Sequence, residues 1–193
     1  MSYSKRQADL HNAQTEHTQK NVRVAAIVKV LSFDPDTMTV EVQPLNMKKI
    51  DGESASASPL VAVPVAMLCC GEFSIRPWYK RGDVGMVVYA DEDNDAALEG
   101  GGAEVEPSTN RNHAPEDAFF IGGIAVAGKA PRGLPSDALV LAAGNVYISV
   151  NRSGIQLNGA VDITGELTVN GLAFGTHTHG GVESGTGSTS GPQ

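Results

Sequence analysis

Residues 139–169 read LVLAAGNVYISVNRSGIQLNGAVDITGELTV, and their rhythm decides the fold. Apolar side chains fall at Leu139 and Leu141; at Val146, Ile148 and Val150; at Ile155 and Leu157; at Val161 and Ile163; and at Leu167 and Val169. Ser149, Gln156, Asp162, Thr164, Glu166 and Thr168 stand between them. A period of two sends alternate side chains to opposite faces, so these are short strands with one buried and one wet side. Gly144, Gly154, Gly159, Gly165 and Gly171 punctuate them, and the first apolar residue of each strand advances by 7, 9, 6 and 6 positions. Such strands bury two or three aliphatic side chains each and leave open edges. A solenoid wound by one chain needs about three complete coils plus caps, more than these residues supply. Three copies wound round a common axis remove both deficits, so the pattern predicts an intertwined triple-stranded β-helix in a homotrimer. A single-chain left-handed β-helix with hexapeptide repeats is the competing reading; only the last two intervals have its period.

Upstream, Val22, Val24, Ala26, Val28 and Val30 alternate with charged or small residues. Asp34-Pro35-Asp36 reads as a turn, and Met38, Val40, Val42 and Leu45 as the return strand of a hairpin. A Ser/Ala-rich loop at 51–58 leads to an apolar run over 60–68, interrupted by Pro64. A basic turn follows at 76–82, then a strand at 84–89, a turn or two of helix within 91–98, an acidic loop at 99–117 and a final strand at 118–121. Five strands and one short helix in roughly 100 residues fit a small Greek-key barrel of the OB type. The expected chain is all-β: an N-terminal arm at 1–21, an OB-fold domain at 22–125, a linker at 126–137, the triple-stranded β-helix at 138–174, and a pointed, metal-binding apex with its tail at 175–193. The arm is either a short helix that docks on a partner or a loose extension.

Composition excludes several functions. Of the 193 residues 41% are hydrophobic but 5% aromatic, which suits a small core and not a deep aromatic-lined pocket. A formal charge of −8 opposes phosphate backbones and anionic lipid heads, so no nucleic-acid partner is expected. No apolar run is long enough for a spanning helix. The first twenty residues lack the hydrophobic stretch of a secretory signal, so assembly in a cytoplasm is expected. Cys69 and Cys70 are adjacent, where a mutual disulfide would be strained, and they read as small buried hydrophobes.

Asp91-Glu92-Asp93-Asn94-Asp95 begins like a calcium loop but has Ala96 where glycine is required and Gly102 where glutamate is required, so it reads as a solvated helix start. Gly100-Gly101-Gly102 lacks a following Lys-Ser or Lys-Thr and is no phosphate cradle. His113 is expected at the surface. No nucleophile–base or paired-carboxylate arrangement stands at a recognisable spacing, and no enzyme activity is expected.

The chemistry-bearing pair is in Gly175-Thr176-His177-Thr178-His179-Gly180-Gly181. Residues two apart on a strand project to the same side, so His177 and His179 face together. One chain offers two imidazoles; three chains round an axis offer six nitrogens, an octahedral set that suits Fe(II) or Ni(II) better than tetrahedral zinc. The flanking glycines let three backbones converge. The Gly/Ser/Thr-rich residues beyond 181 either fold back over this tip or form a disordered tail.

Four segments carry a resemblance. They are VKVLSFDPDTMTVEVQP at 28–44; Lys80-Arg81-Gly82-Asp83-Val84-Gly85 with the strand after it; Arg111-Asn112-His113 leading through Glu116-Asp117 to Ala118-Phe119-Phe120-Ile121; and Thr176-His177-Thr178-His179-Gly180-Gly181. Over roughly residues 22–193 the chain resembles the membrane-puncturing central spikes of contractile-tailed phages, of the type with an N-terminal OB-fold domain. The resemblance implies a homotrimer at the tail tip of the virion baseplate, assembled in the host bacterial cytoplasm, and His177 and His179 as ligands of an iron ion, Fe(II). It implies mechanical penetration of the host outer membrane as the sheath contracts, with residues 1–21 attaching the spike to the tail hub protein. A glycan- or protein-binding barrel on a trimerising stalk is the alternative, as is the spike of a phage-derived injection device. A hexapeptide-repeat acyltransferase has too few repeats here.

Overall fold

The structure, a computed structural model, describes residues 22–50 and 52–176 together with positions 7, 11, 12 and 185. The chain divides into two compact units, Met1–Ala130 and Pro131–Gln193. In the first, the strands are β1 (Ala25–Asp34), β2 (Thr39–Pro44), β3 (Lys48–Ile50), β4 (Glu53–Ala55), β5 (Leu60–Pro64), β6 (Leu68–Cys70), β7 (Phe73–Ile75), β8 (Val84–Tyr89) and β9 (Ala118–Ile121). A short helix α1 (Asp95–Glu99) and a 3-10 turn (Pro115–Asp117) lie between β8 and β9.

Five of these strands form one sheet in the order β5-β2-β1-β8-β9, every pair antiparallel. The sheet curls into a half-barrel. Its two outer strands approach at a parallel bridge between Val65 and Phe120, where the Ala66 N–H donates to the Phe120 carbonyl at 2.9 Å. The β1–β2 hairpin forms where its turn chemistry dictates. Asp34 Oδ1 accepts from the Asp36 N–H at 2.9 Å and from the Thr37 N–H at 3.4 Å, so the aspartate side chain holds the chain reversal. The Lys80–Asp83 turn works similarly: the Lys80 N–H donates to Asp83 Oδ2 at 2.7 Å, and Gly82 takes the positive φ of 98° that the reversal requires.

The core is mainly valine. Val28 and Val30 of β1, Val40 and Val42 of β2, Val63 of β5 and Val87 of β8 are buried around Phe120 of β9, which is 0% exposed. β-branched side chains pack well on a pleated face, and each full burial contributes about 1.5–3 kcal/mol. Gly85 admits the ring: a Cβ there would lie 2.4 Å from Phe120. Tyr79 closes the cluster edge-on, its ring centroid 5.1 Å from that of Phe120.

Several expectations need correction. Cys69 and Cys70 are exposed, not buried, because the run over 60–68 does not stay in one strand. It splits after Pro64, and the cysteines move to β6, which pairs with β7 in a two-stranded ribbon outside the sheet. The loop at 51–58 contains β4, paired with β3. The first strand begins at Ala25, leaving Val22 and Val24 exposed.

The second unit contains β10 (Leu139–Ala143), β11 (Val146–Asn151), β12 (Gly154–Asn158), β13 (Thr168–Val169) and β14 (Leu172–Ala173). The first three make an antiparallel meander and the last two a small hairpin. Strand edges expected to pair with neighbouring chains over 139–158 therefore pair within this one. Successive coils of a single-chain β-helix stack in parallel, so among the described residues this unit does not follow that competing reading.

Candidate functional site

The register of the meander sorts its side chains by face. Leu139 lies opposite Val150, and Leu141 opposite Ile148; Ile148 and Val150 in turn lie opposite Leu157 and Ile155. Directly opposed residues share a face, so these six aliphatic side chains, with Ala143 and Val146, form one continuous apolar surface. Ser149, Gln156 and Asn158 take the other face. The apolar side is not covered: Leu139 is 79% and Ile155 72% exposed, and the other large side chains range from 43% to 59%. Beyond it, Val161, Ile163, Leu167 and Phe174 line an open hollow of about 530 Å³. Monomeric proteins rarely expose contiguous apolar patches beyond a few hundred Å². This uncovered face is the unit's candidate contact surface.

The two histidines singled out above, His177 and His179, lie outside the described residues. The described backbone reaches Thr176 through a turn in which the Phe174 N–H donates to the Leu167 carbonyl at 2.7 Å and the Thr176 N–H to Ala173 at 3.4 Å.

A second constellation lies in the first unit. Arg111 donates from Nε to Asp117 Oδ2 at 2.7 Å and from Nη2 to Asp117 Oδ1 at 2.8 Å, a bidentate pair. Nη2 also reaches Asp93 Oδ1 at 2.9 Å and Asp95 Oδ2 at 2.8 Å. Asp117 accepts further from the Asn94 N–H at 3.1 Å, and Asp93 from the Thr109 hydroxyl at 2.8 Å. Both of these carboxylates are buried. The Arg111 hydrogen bonds hold the Asp117 carboxyl below its ordinary pKa; the Thr109 hydroxyl, assisted by the Asp95 N–H and Arg111, does so for Asp93. Asp117 first, then Asp95 and Asp93, push the guanidinium further above its already high value. The three carboxylates stand close enough to share a cation, and the cation they share is Arg111. The knot thus ties the long β8–β9 connection at residues 93, 95, 109, 111 and 117.

Removing that cation should weaken the first unit. Both carboxyls have lowered folded values, so their stabilisation is present above the ordinary carboxylate range and lost as pH falls through the lowered values. In Arg111→Met the carboxylates repel one another at neutral pH, and acid relieves them. The thermal midpoint should fall below that of the unaltered protein at about pH 7, and the gap should narrow by about pH 4. A gap independent of pH would show that the three carboxyls do not depend on Arg111.

The reading of 91–95 as a solvated helix start holds for Asp91 and Asp95 but not for Asp93, which is buried against Thr109 and Arg111. His113 is half-buried rather than at the surface; its Nδ1 is covered and lies 3.8 Å from Asp91 Oδ1. The available signal was a single arginine in an acidic connection, flanked by Asn112 and following Thr109. Its partners are 6 to 18 residues away, beyond the reach of local pattern.

No curated protein matches the chain. Residues 27–123, half of its length, match the family described as Phage protein Gp138 N-terminal domain. That segment runs from within β1 past the end of β9 and contains the valine core, Phe120 and the Arg111 knot. The chain therefore belongs to the family of phage proteins that carry the Gp138 N-terminal domain.

Proposed function

We propose that this protein is the central spike of a contractile phage tail baseplate, a homotrimer driven through the host outer membrane when the sheath contracts. It sits at the tail tip of the virion, and residues 1–21 join it to the hub protein. The observation that carries the reading is the bare aliphatic face of β10–β12. Two further copies are the partners whose matching stripes cover it at fixed stoichiometry, in a triple-stranded β-structure. The half-barrel order, with its parallel closing bridge between Val65 and Phe120, supports an OB barrel in the first unit. Family membership supports a phage structural component. The task is mechanical, so the protein is no enzyme; the sheath supplies the work, and the spike must resist buckling. At the apex His177 and His179 of three chains hold Fe(II), which crosslinks the strand ends.

Light scattering and metal analysis on one sample test this. A trimer containing about one iron per three chains is expected. His177→Ala with His179→Ala should remove the iron while the trimer persists. A monomeric mass would overturn the reading, and a trimer devoid of transition metal would overturn the ligand assignment alone. Trp78, exposed and braced edge-on by Phe33 at 5.7 Å, favours a second reading, a glycan- or protein-binding barrel on a trimerising stalk. Saturable glycan binding by the full chain that Trp78→Ala abolishes would support it. A phage-derived injection device would use the same spike.

A further inference from the structure

The β6–β7 ribbon presents one apolar face. Leu68 lies opposite Ile75, and Cys70 opposite Phe73, so all four side chains share one face, while Cys69 and Ser74 share the other. The apolar face is bare: Leu68 is 74% and Phe73 81% exposed. An isolated two-stranded ribbon is marginal in water and needs a surface to lie on. Just after it come Arg76, Lys80 and Arg81. Arg76 and Arg81 donate to the Pro35 and Leu31 carbonyls, which hold them without neutralising them. Among the described residues none of the three forms an ion pair.

The complementary surface is also in the first unit. A hollow of about 220 Å³ is lined by apolar Ala62, Pro64, Leu98 and Ala118 together with acidic Asp95, Glu99 and Glu116. Glu99 and Glu116 have no cationic partner among the described residues. One patch is apolar with a basic flank, and the other sets four apolar side chains among acidic and polar ones. Two different, complementary patches on one chain suit a head-to-tail contact between copies, which makes a ring where the rotation closes.

We propose that in the assembled protein the β6–β7 ribbon of each copy docks, apolar face down, on the acid-lined hollow of the next copy. The occupant is a second copy for two reasons. Charge complementarity lies within the chain itself, although its formal charge of −8 would otherwise set copies apart. The four-residue face is also well short of the roughly 800 Å² per partner of a stable complex, too little to capture a freely diffusing stranger. A neighbour already tethered elsewhere in the assembly is at millimolar effective concentration, where a small contact suffices. The inference thus rests on the trimer proposed above.

Thiol reactivity reads the docking directly, because Cys70 is on the covered face and Cys69 on the open one. Full-length Cys69→Ser and Cys70→Ser proteins, each retaining one thiol, would be alkylated with a maleimide while light scattering records their mass. In the trimer Cys70 should react about ten-fold or more slowly than Cys69, and the two should equalise in urea. Adding Glu99→Lys and Glu116→Lys should release Cys70 while the mass stays trimeric. Equal rates in a trimer, or protection indifferent to those two substitutions, would overturn the docking and leave the spike reading intact. A monomeric mass would overturn both.

Discussion

Ile148→Asp is expected to turn the proposed trimer into monomers. Ile148 sits at the centre of the bare face, opposite Leu141 on one side and Leu157 on the other. In one copy it is 44% exposed, so a carboxylate there stays hydrated and the meander tolerates it. In the proposed trimer each copy would instead bring its Asp into an apolar seam. Each loses about 1.5–3 kcal/mol of aliphatic burial, and an unpaired buried carboxylate costs several kcal/mol more. Three such carboxylates would also repel one another near the axis. A total loss above about 4 kcal/mol weakens association by roughly three orders of magnitude, enough to show as a monomer mass at micromolar concentration. Gln156→Asp, on the opposite face of the same sheet, is the control and should leave the mass unchanged. If Ile148→Asp stays trimeric, the apolar face is not the seam.

Phe120→Ala should have the largest effect on stability. Phe120 is fully buried, meets Tyr79 edge-on, fills the space above Gly85 and anchors the bridge to Val65. Truncating a buried phenylalanine costs about 3–5 kcal/mol, because the lost transfer energy adds to a cavity that valines on fixed strands cannot close. Single domains are stable by about 5–15 kcal/mol, so the variant should be near or past its limit at physiological temperature. Trp78, the sole tryptophan, packs on Phe33 beside Tyr79 and reports the transition by fluorescence. A urea midpoint within error of the unaltered protein would show that the sheet does not close on this ring. The substitution lies in the first unit, and the Ile148→Asp substitution in the second, so the two effects separate by readout: unfolding midpoint for one, mass for the other.

Local physics made much of this architecture legible in the sequence alone. Short apolar runs marked β8 and β9 at their full extents, and alternation together with Asp34-Pro35-Asp36 marked the first hairpin, because strand patterning and turn chemistry act within a few residues. The same alternation marked the aliphatic stripe of 139–157 as a single face.

Tertiary structure alone decided what each face meets. Cys69 and Cys70 ended in an exposed ribbon because the chain leaves the sheet after Pro64, which apolar composition does not reveal. Asp93 went inside because Thr109 and Arg111, 16 and 18 residues later, return to it; a carboxylate is buried at low cost only where hydrogen bonds and opposite charge compensate it. The pairing of β10, β11 and β12 within one chain was equally a choice among edges, since backbone donors and acceptors are the same at every residue and carry no address. Side-chain alternation is written residue by residue, whereas the partner of a strand edge or a buried charge depends on where the rest of the chain comes to lie.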